Sequence, residues 1–199
     1  MREICWLTGG LAQSEVKDPA VRELFEENWI GPYERLLPDW TWVAESEAQG
    51  AQRVQGYLTA SPTTREFDRR RWWRAHLPLA LRVAAGRYGR GAEQTKFLRR
   101  TFGLDPSPRK LFAPEMLARV LDEYPAHLHI NVHPGAQRAG QGRGLMSGCL
   151  ARLRAEGVRG LHLFCGPDPV AFYERQGLAV LDQKAMESGH RVHLMGISI

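Results

Sequence analysis

In the run HPGAQRAGQGRGLM, residues 133–146, three glycines fall at alternate positions: Gly140, Gly142 and Gly144. An apolar pattern of helical spacing starts directly behind them. Bare glycine backbone lets a ligand come close, and the first N–H groups of a helix point outward without partners. With the helix dipole added, such a loop is a seat for phosphate oxygens. Arg138 and Arg143 would add positive charge at its rim. The same glycines would also serve a tight loop that only needs φ > 0. Two further residue sets bear on chemistry. Along AHLHINV, residues 126–132, His127, His129 and Asn131 alternate with Leu128, Ile130 and Val132, as on the two faces of a strand. An imidazole, with a pKa of about 6.5, suits a general base, although a polar row on a strand also suits a solvated face. Tyr173, in PVAFYERQ, keeps its proton at neutral pH. It suits a general acid, or it packs as an amphipathic aromatic.

Two familiar phosphate loops are excluded. A P-loop needs Gly-Lys-Ser/Thr at the helix start, and GRGLMS offers none. A dinucleotide fingerprint needs G-x-G-x-x-G after the first strand, whereas this chain has G-x-G-x-G deep in its second half.

The elements that must position these residues follow from hydrophobic spacing. EICWLTG reads as a first strand, and Asp18-Pro19 as the cap and first residue of the helix AVRELFEENWI. TWVAES and RVQGYLTA read as two strands joined by the turn-rich EAQGAQ. From Thr63 to Arg100 the pattern is helical, interrupted at Pro78 and at two glycine-containing breaks. A further helix, PEMLARVLDEY, leads into AHLHINV, the glycine ladder and its helix, which Gly157 stops. GLHLFC is a strand, PVAFYERQ a short helix capped by Asp168-Pro169, and RVHLMGISI a final strand. Strands mixed with helices within 199 residues give one α/β (α+β) domain over the whole chain.

Composition narrows the partners. No apolar run approaches the ~20 residues of a membrane span, and MREICWLTGG lacks the long apolar core of a signal peptide. Cys5, Cys149 and Cys165 are odd in number and widely spaced, which favours buried thiols in a reducing cytoplasm over disulfides. No metal-ligand spacing is expected. The net charge of +5 is uneven: residues 61–110 hold 13 Lys/Arg against 4 Asp/Glu. That segment is either a solvated helical face or attractive to an anion. Trp72 and Trp73 lie among Arg69, Arg70, Arg71 and Arg74. They fit the edges of one packing face better than a platform for nucleic acid.

Gln137-Arg138-Ala139-Gly140-Gln141-Gly142 resembles Q/R-x-x-G-x-G/A, the pyrophosphate loop of the GNAT acetyltransferases. LHINVHP resembles that superfamily's fourth strand, and AFYERQGL its later tyrosine-bearing helix. The resemblance implies a central mixed, mostly antiparallel sheet, splayed between the fourth and fifth strands. It also implies acetyl-CoA as cosubstrate, no metal, and transfer of acetyl to a primary amine by direct attack in a ternary complex. A catalytically silent binding module of the same fold is the alternative. The cofactor would lie on Gln137, Arg138, Ala139, Gly140, Gln141, Gly142, Arg143 and Gly144, with the Val132 main chain polarising the thioester. Tyr173 would touch the cofactor and protonate the leaving thiolate, and His129 is the candidate base. A glutamate that some family members place early on the fourth strand is Ala126 here, and the asparagine they usually carry before the tyrosine falls at Gly166. GPYERLLPDW, VQGYLTASPTTREF, RRRWWRAHLP and YPAHLHINVHP further resemble bacterial relatives of the C-terminal acetyltransferase-like domain of O-GlcNAcases. That subfamily carries a helical insertion between strands three and four, here about residues 63–122. The basic insertion is expected to border the acceptor cleft.

Overall fold

The computed structural model describes residues 1–9, 18–48, 51–104, 108–186 and 189–199. Its first element corrects the sequence reading, because EICWLTG lies in a helix, α1 (Arg2–Thr8). Ile4 and Cys5 are adjacent and both buried. A helix's ~100° step allows that and a strand's alternation does not. Helix α2 (Pro19–Trp29) starts as expected, with the Asp18 carboxylate accepting the Ala20 N–H at 2.9 Å. Helix α3 (Gly31–Leu36) follows. The Arg2 guanidinium reaches Glu34 at 2.7 Å and Glu27 at 2.8 Å, while Arg35 reaches Glu27 at 2.7 Å. These ties join the three helices into one layer.

The sheet has six strands: β1 (Thr41–Ala48), β2 (Ala51–Ser61), β3 (Ala126–Val132), β4 (Gly160–Cys165), β5 (Ala179–Ala185) and β6 (Arg191–Ser198). Their order is β1-β2-β3-β4-β6-β5, and β3–β4 is the one parallel pair. The turn read in EAQGAQ centres on residues 49 and 50, outside the described residues. Strand β5 carries no sequence signature, because it is an edge strand with most side chains exposed and no alternation marks it. Pairing of β3 with β4 stops after Ala126–Leu161 and His127–His162, whereas β3 stays on β2 as far as Val132. With the first strand replaced by α1, the splay expected between the fourth and fifth strands lies between β3 and β4.

The insertion between β2 and β3 holds α4 (Thr64–Arg71), α5 (Leu77–Ala84), α6 (Ala92–Thr101) and α7 (Pro114–Glu123). Pro78 does not break the first pair. A π turn over Trp72–His76 joins α4 to α5, its Leu77 N–H bonding the Trp72 carbonyl five residues back. The wider turn makes room for the proline ring and absorbs its missing donor. Trp72 meets Phe102 edge-on at 6.2 Å, but Trp73 is 64% exposed, so the two do not share a packing face.

Helix α8 (Gln141–Ala155) lies against β1–β3, burying Leu145, Met146, Cys149, Leu150 and Leu153 against Leu58, Leu128 and Leu161. Gly157, at φ +67, stops it as read. Helix α9 (Val170–Glu174) begins one residue later than expected, on Pro169, without a side-chain cap from Asp168. Among the described residues the three cysteines are free thiols, Cys5 and Cys149 buried and Cys165 half-buried. No helix of the described residues is long and apolar enough to cross a membrane.

Candidate active site

The glycine ladder sits at the open end of the splay, and each of its glycines has a different reason to be there. Gly140 takes φ +84 and caps α8. At Gly142 a Cβ would come within 3.2 Å of the Phe172 ring, which packs across the helix end from α9. Gly144 meets neither condition: it is helical, and a Cβ would find nothing within 4 Å. The Gly144 N–H bonds the Gly140 carbonyl at 3.1 Å. That leaves the amides of Gln141, Gly142 and Arg143 without helical partners, and no side chain caps them. Arg138 itself stands at φ +65, in the left-handed region. Arg138, Ala139 and the Arg143 side chain are exposed, and Gln137 Nε2 donates to the Val132 carbonyl at 3.3 Å. Gln141 turns its side chain inward, its Oε1 buried without a hydrogen-bond partner.

Val132 comes next to this loop through the end of β3. Strand β2 carries an extra residue, Gln55, opposite β1, and the Gln55 carbonyl accepts the His133 N–H at 2.7 Å. Main-chain groups alternate sides along a strand, so the Val132 N–H points away from β2, into the gap where β4 has left. Tyr173, on α9 behind β4, lies near Cys165 at the end of that strand. It is 8% exposed, and its pKa lies well above the ordinary tyrosine value because burial disfavours the phenolate, reinforced by Cys165. Burial also pushes the Cys165 thiol up to about 11.

The polar face of β3 is partly covered, with His127 buried and His129 and Asn131 half-buried. With α1 a helix, α1–α3 cover it, and His127 and His129 have different surroundings. Thr64 Oγ1 donates its one proton to the Pro125 carbonyl at 2.8 Å and lies 2.7 Å from His127 Nδ1. The network therefore assigns the proton to Nδ1, and Nε2 accepts from the Tyr33 hydroxyl at 2.7 Å. His127 is enclosed and satisfied. His129, two residues on, lines a cavity of about 230 Å³ and meets Trp29 and Tyr33 edge-on at 5.8 and 5.6 Å. Across the β2–β3 register Thr59 lies opposite His129 and Tyr57 opposite Asn131. Both line the same cavity, as do Phe25 and Trp29 from α2. Sequence reasoning missed these wall residues, since the signal lies in the strand register and in α1 being helical. No insertion residue is among the described residues that line this cavity.

No family model matches the sequence. The crystal structure of SsHAT superposes with a TM-score of 0.68 at 26% identity, covering 99% of this chain and 91% of that one. A GNAT-family protein from Desulfovibrio desulfuricans shows 14% identity over 99% and 89% of the two chains, with a TM-score of 0.48. The ribosomal-protein-S18-alanine N-acetyltransferase from Escherichia coli shows 28% identity, over 37% and 54%, with a TM-score of 0.34. The full-length match to SsHAT, the sheet that parts between the parallel pair β3–β4, and the glycine-led helix at the parting agree: this chain has the fold of the GNAT acetyltransferases.

Proposed function

We propose that the chain is an N-acetyltransferase that moves an acetyl group from acetyl-CoA to an amine by direct attack in a ternary complex. Gly144 is the observation that carries this. Neither backbone conformation nor a close neighbour calls for glycine there, yet it sits in the first turn of α8 beside three unpaired amides. Close approach of a phosphate-bearing ligand accounts for it. The amides of Gln141, Gly142 and Arg143 would hold the pyrophosphate, the Arg138 and Arg143 side chains would flank it, and Gln137, Ala139 and Gly140 would shape the loop.

Acetyl-CoA supplies the acyl group as a reactive thioester. The Val132 N–H is oriented to donate to the carbonyl oxygen, a role worth about 3 kcal/mol for a preorganised donor. Tyr173 holds a proton for the departing sulfur. His129 faces the cavity on the other side of β3, where the amine would enter, and takes the amine's proton directly or through water. A silent binding module is the alternative, favoured by Ala126, which is fully buried where some members carry a glutamate. Within the superfamily, the stretches around residues 31–40, 54–67 and 124–134 support a place beside the bacterial relatives of the O-GlcNAcase C-terminal domain. Free thiols support a cytoplasmic setting.

Gly144→Asp tests the cofactor seat. Replacing glycine in the first turn of a helix with an acidic residue favours the helix, so stability should hold or rise. CoA affinity, measured by titration calorimetry, should fall at least about tenfold, or roughly 1.4 kcal/mol. Unchanged affinity would put the site elsewhere. Release of CoA thiol from acetyl-CoA in the presence of an amine panel separates an enzyme from a silent module.

A further inference from the structure

The cavity behind His129 has chemistry of its own. Its aromatic wall is Phe25 and Trp29, one turn apart on α2, and Trp29 continues edge-on to His129. On its floor the Asn131 amide donates to the Tyr57 hydroxyl at 2.7 Å. Thr59 completes that floor. It has no exposed surface, yet its Oγ1 has no hydrogen-bond partner. A buried hydroxyl left unpaired is costly, and one lining a cavity points to a polar atom on whatever fills it.

No Asp, Glu, Lys or Arg is among the described residues lining the cavity. Burial holds both the Tyr57 hydroxyl and the Cys5 thiol in their protonated forms. An alkylammonium group would give up water here, and the carboxylates nearest Cys5, Glu26 and Glu34, are already held by Arg22 and Arg2. The rings of Phe25 and Trp29 offer only a weak cation–π substitute while water still reaches Trp29. The volume, about 230 Å³, suits one ring with short substituents, since a dry cavity of about 150 Å³ takes benzene.

We infer that this cavity takes a weakly basic amine carried on a single aromatic or heteroaromatic ring, with the Thr59 hydroxyl bonding a polar atom of that ligand. Its use as acetyl acceptor rests on the acetyltransferase reading above. Such an amine arrives neutral, its lone pair ready. Nitrogen forms the bond to the carbonyl carbon, the carbon–sulfur bond breaks, and the nitrogen's proton leaves as the sulfur takes one up, giving amide and CoA thiol. A strong base is then unnecessary, in keeping with the missing carboxylate at Ala126.

The experiment pairs binding with turnover, using p-anisidine, spermidine and a lysine peptide as probes. Calorimetry should show p-anisidine binding to the wild-type protein. Thr59→Val should weaken it about tenfold without lowering Tm, because the variant loses an unpaired hydroxyl, and Thr59→Ser should restore it. With saturating acetyl-CoA, kcat/KM for p-anisidine should exceed those for spermidine and the peptide at least 100-fold. Equal or better binding or turnover of either alkylamine overturns the inference, as does Thr59→Val leaving p-anisidine affinity unchanged. If p-anisidine binds with the expected Thr59 sensitivity but no acetyl-CoA is consumed, the acetyltransferase reading fails and the assignment of the cavity stands.

Discussion

Tyr173 keeps its proton because the fold withdraws its hydroxyl from water and sets Cys165 beside it. The same burial limits what it can give. A thiol titrates near 8.5, below even an ordinary tyrosine, so full transfer of this proton to a thiolate runs uphill. In the proposed reaction the group would act best by donating a hydrogen bond to the sulfur as charge develops there. Tyr173→Phe keeps the ring and its packing and deletes only that bond. Under conditions where chemistry limits the rate, kcat should fall about 10²-fold, with CoA affinity nearly constant. Retention of nearly full kcat in single-turnover measurements would make the hydroxyl structural. The sequence carried the residue type and its place before ERQG, but not its burial. Burial comes from a core cluster that it shares with Leu128, Met146 and Leu163, residues of three separate elements. His127 and His129 differ for the same kind of reason. They are two residues apart on one face, and only packing by Tyr33 and Thr64 makes one a closed structural group and leaves the other lining a cavity.

At the level of the element, the run from Thr64 to Ala84 shows a local rule overridden. Proline predicts a break, yet one π turn lets the helix continue, and that turn ends on His76. The His76 pKa is pushed down to about 4, by burial first and by Arg71 second, with the Asn28 carbonyl and Asp68 opposing. Its Nε2 is buried without a partner. The folded pKa lies below the unfolded 6.5, so the unfolded chain binds the extra proton between pH 4 and 6.5. The group's contribution is therefore complete above about pH 6.5 and is lost as pH falls toward 4, by up to about 3 kcal/mol. Urea unfolding across that window should show the loss, and His76→Leu should flatten the slope while lowering stability at pH 7. A slope unchanged in His76→Leu would assign the acid sensitivity to other groups. The elements legible in the sequence were those with caps or strong periodicity: α2 behind Asp18-Pro19, the stripe of α8, and β3 with its two-face alternation. The illegible ones lacked such marks. Helix α1 is one short apolar segment whose Ile4 and Cys5 are buried with Ile30 and Tyr57, residues distant in sequence, and β5 is an exposed edge.

Across the whole molecule, the sheet is two halves, β1-β2-β3 and β4-β6-β5, joined by two residue pairs at one end and open at the other. The glycine ladder and the Val132 amide lie at that opening, so the narrowness of the join makes room for the proposed site. The join must then be held firmly from elsewhere. Ala126 and Leu161 are fully buried in it, His162 Nδ1 donates to the Tyr124 carbonyl at 2.6 Å, and the Ile199 N–H bonds the Arg159 carbonyl at 2.9 Å. Gly160 lies at the centre of these contacts. A Cβ there would come within 2.7 Å of the Glu123 carbonyl oxygen, 2.8 Å of the Tyr124 ring and 3.1 Å of the Ile197 carbonyl oxygen. Two of the three obstacles are backbone on either side of β4, so no rotamer change relieves them. Overpacking of this kind costs roughly 1–3 kcal/mol or somewhat more. For a chain of this size each kcal/mol moves Tm by about 2–4 °C, so Gly160→Ala should lower Tm by about 5–10 °C. Gly144→Ala supplies the contrast at the other end of the splay, where a Cβ meets open space and gains helix propensity of up to about 1 kcal/mol. Differential scanning calorimetry should find Tm lowered in the first variant and held or raised in the second. Equal shifts in the two variants would show that the join between the half-sheets is not where this fold is most tightly constrained.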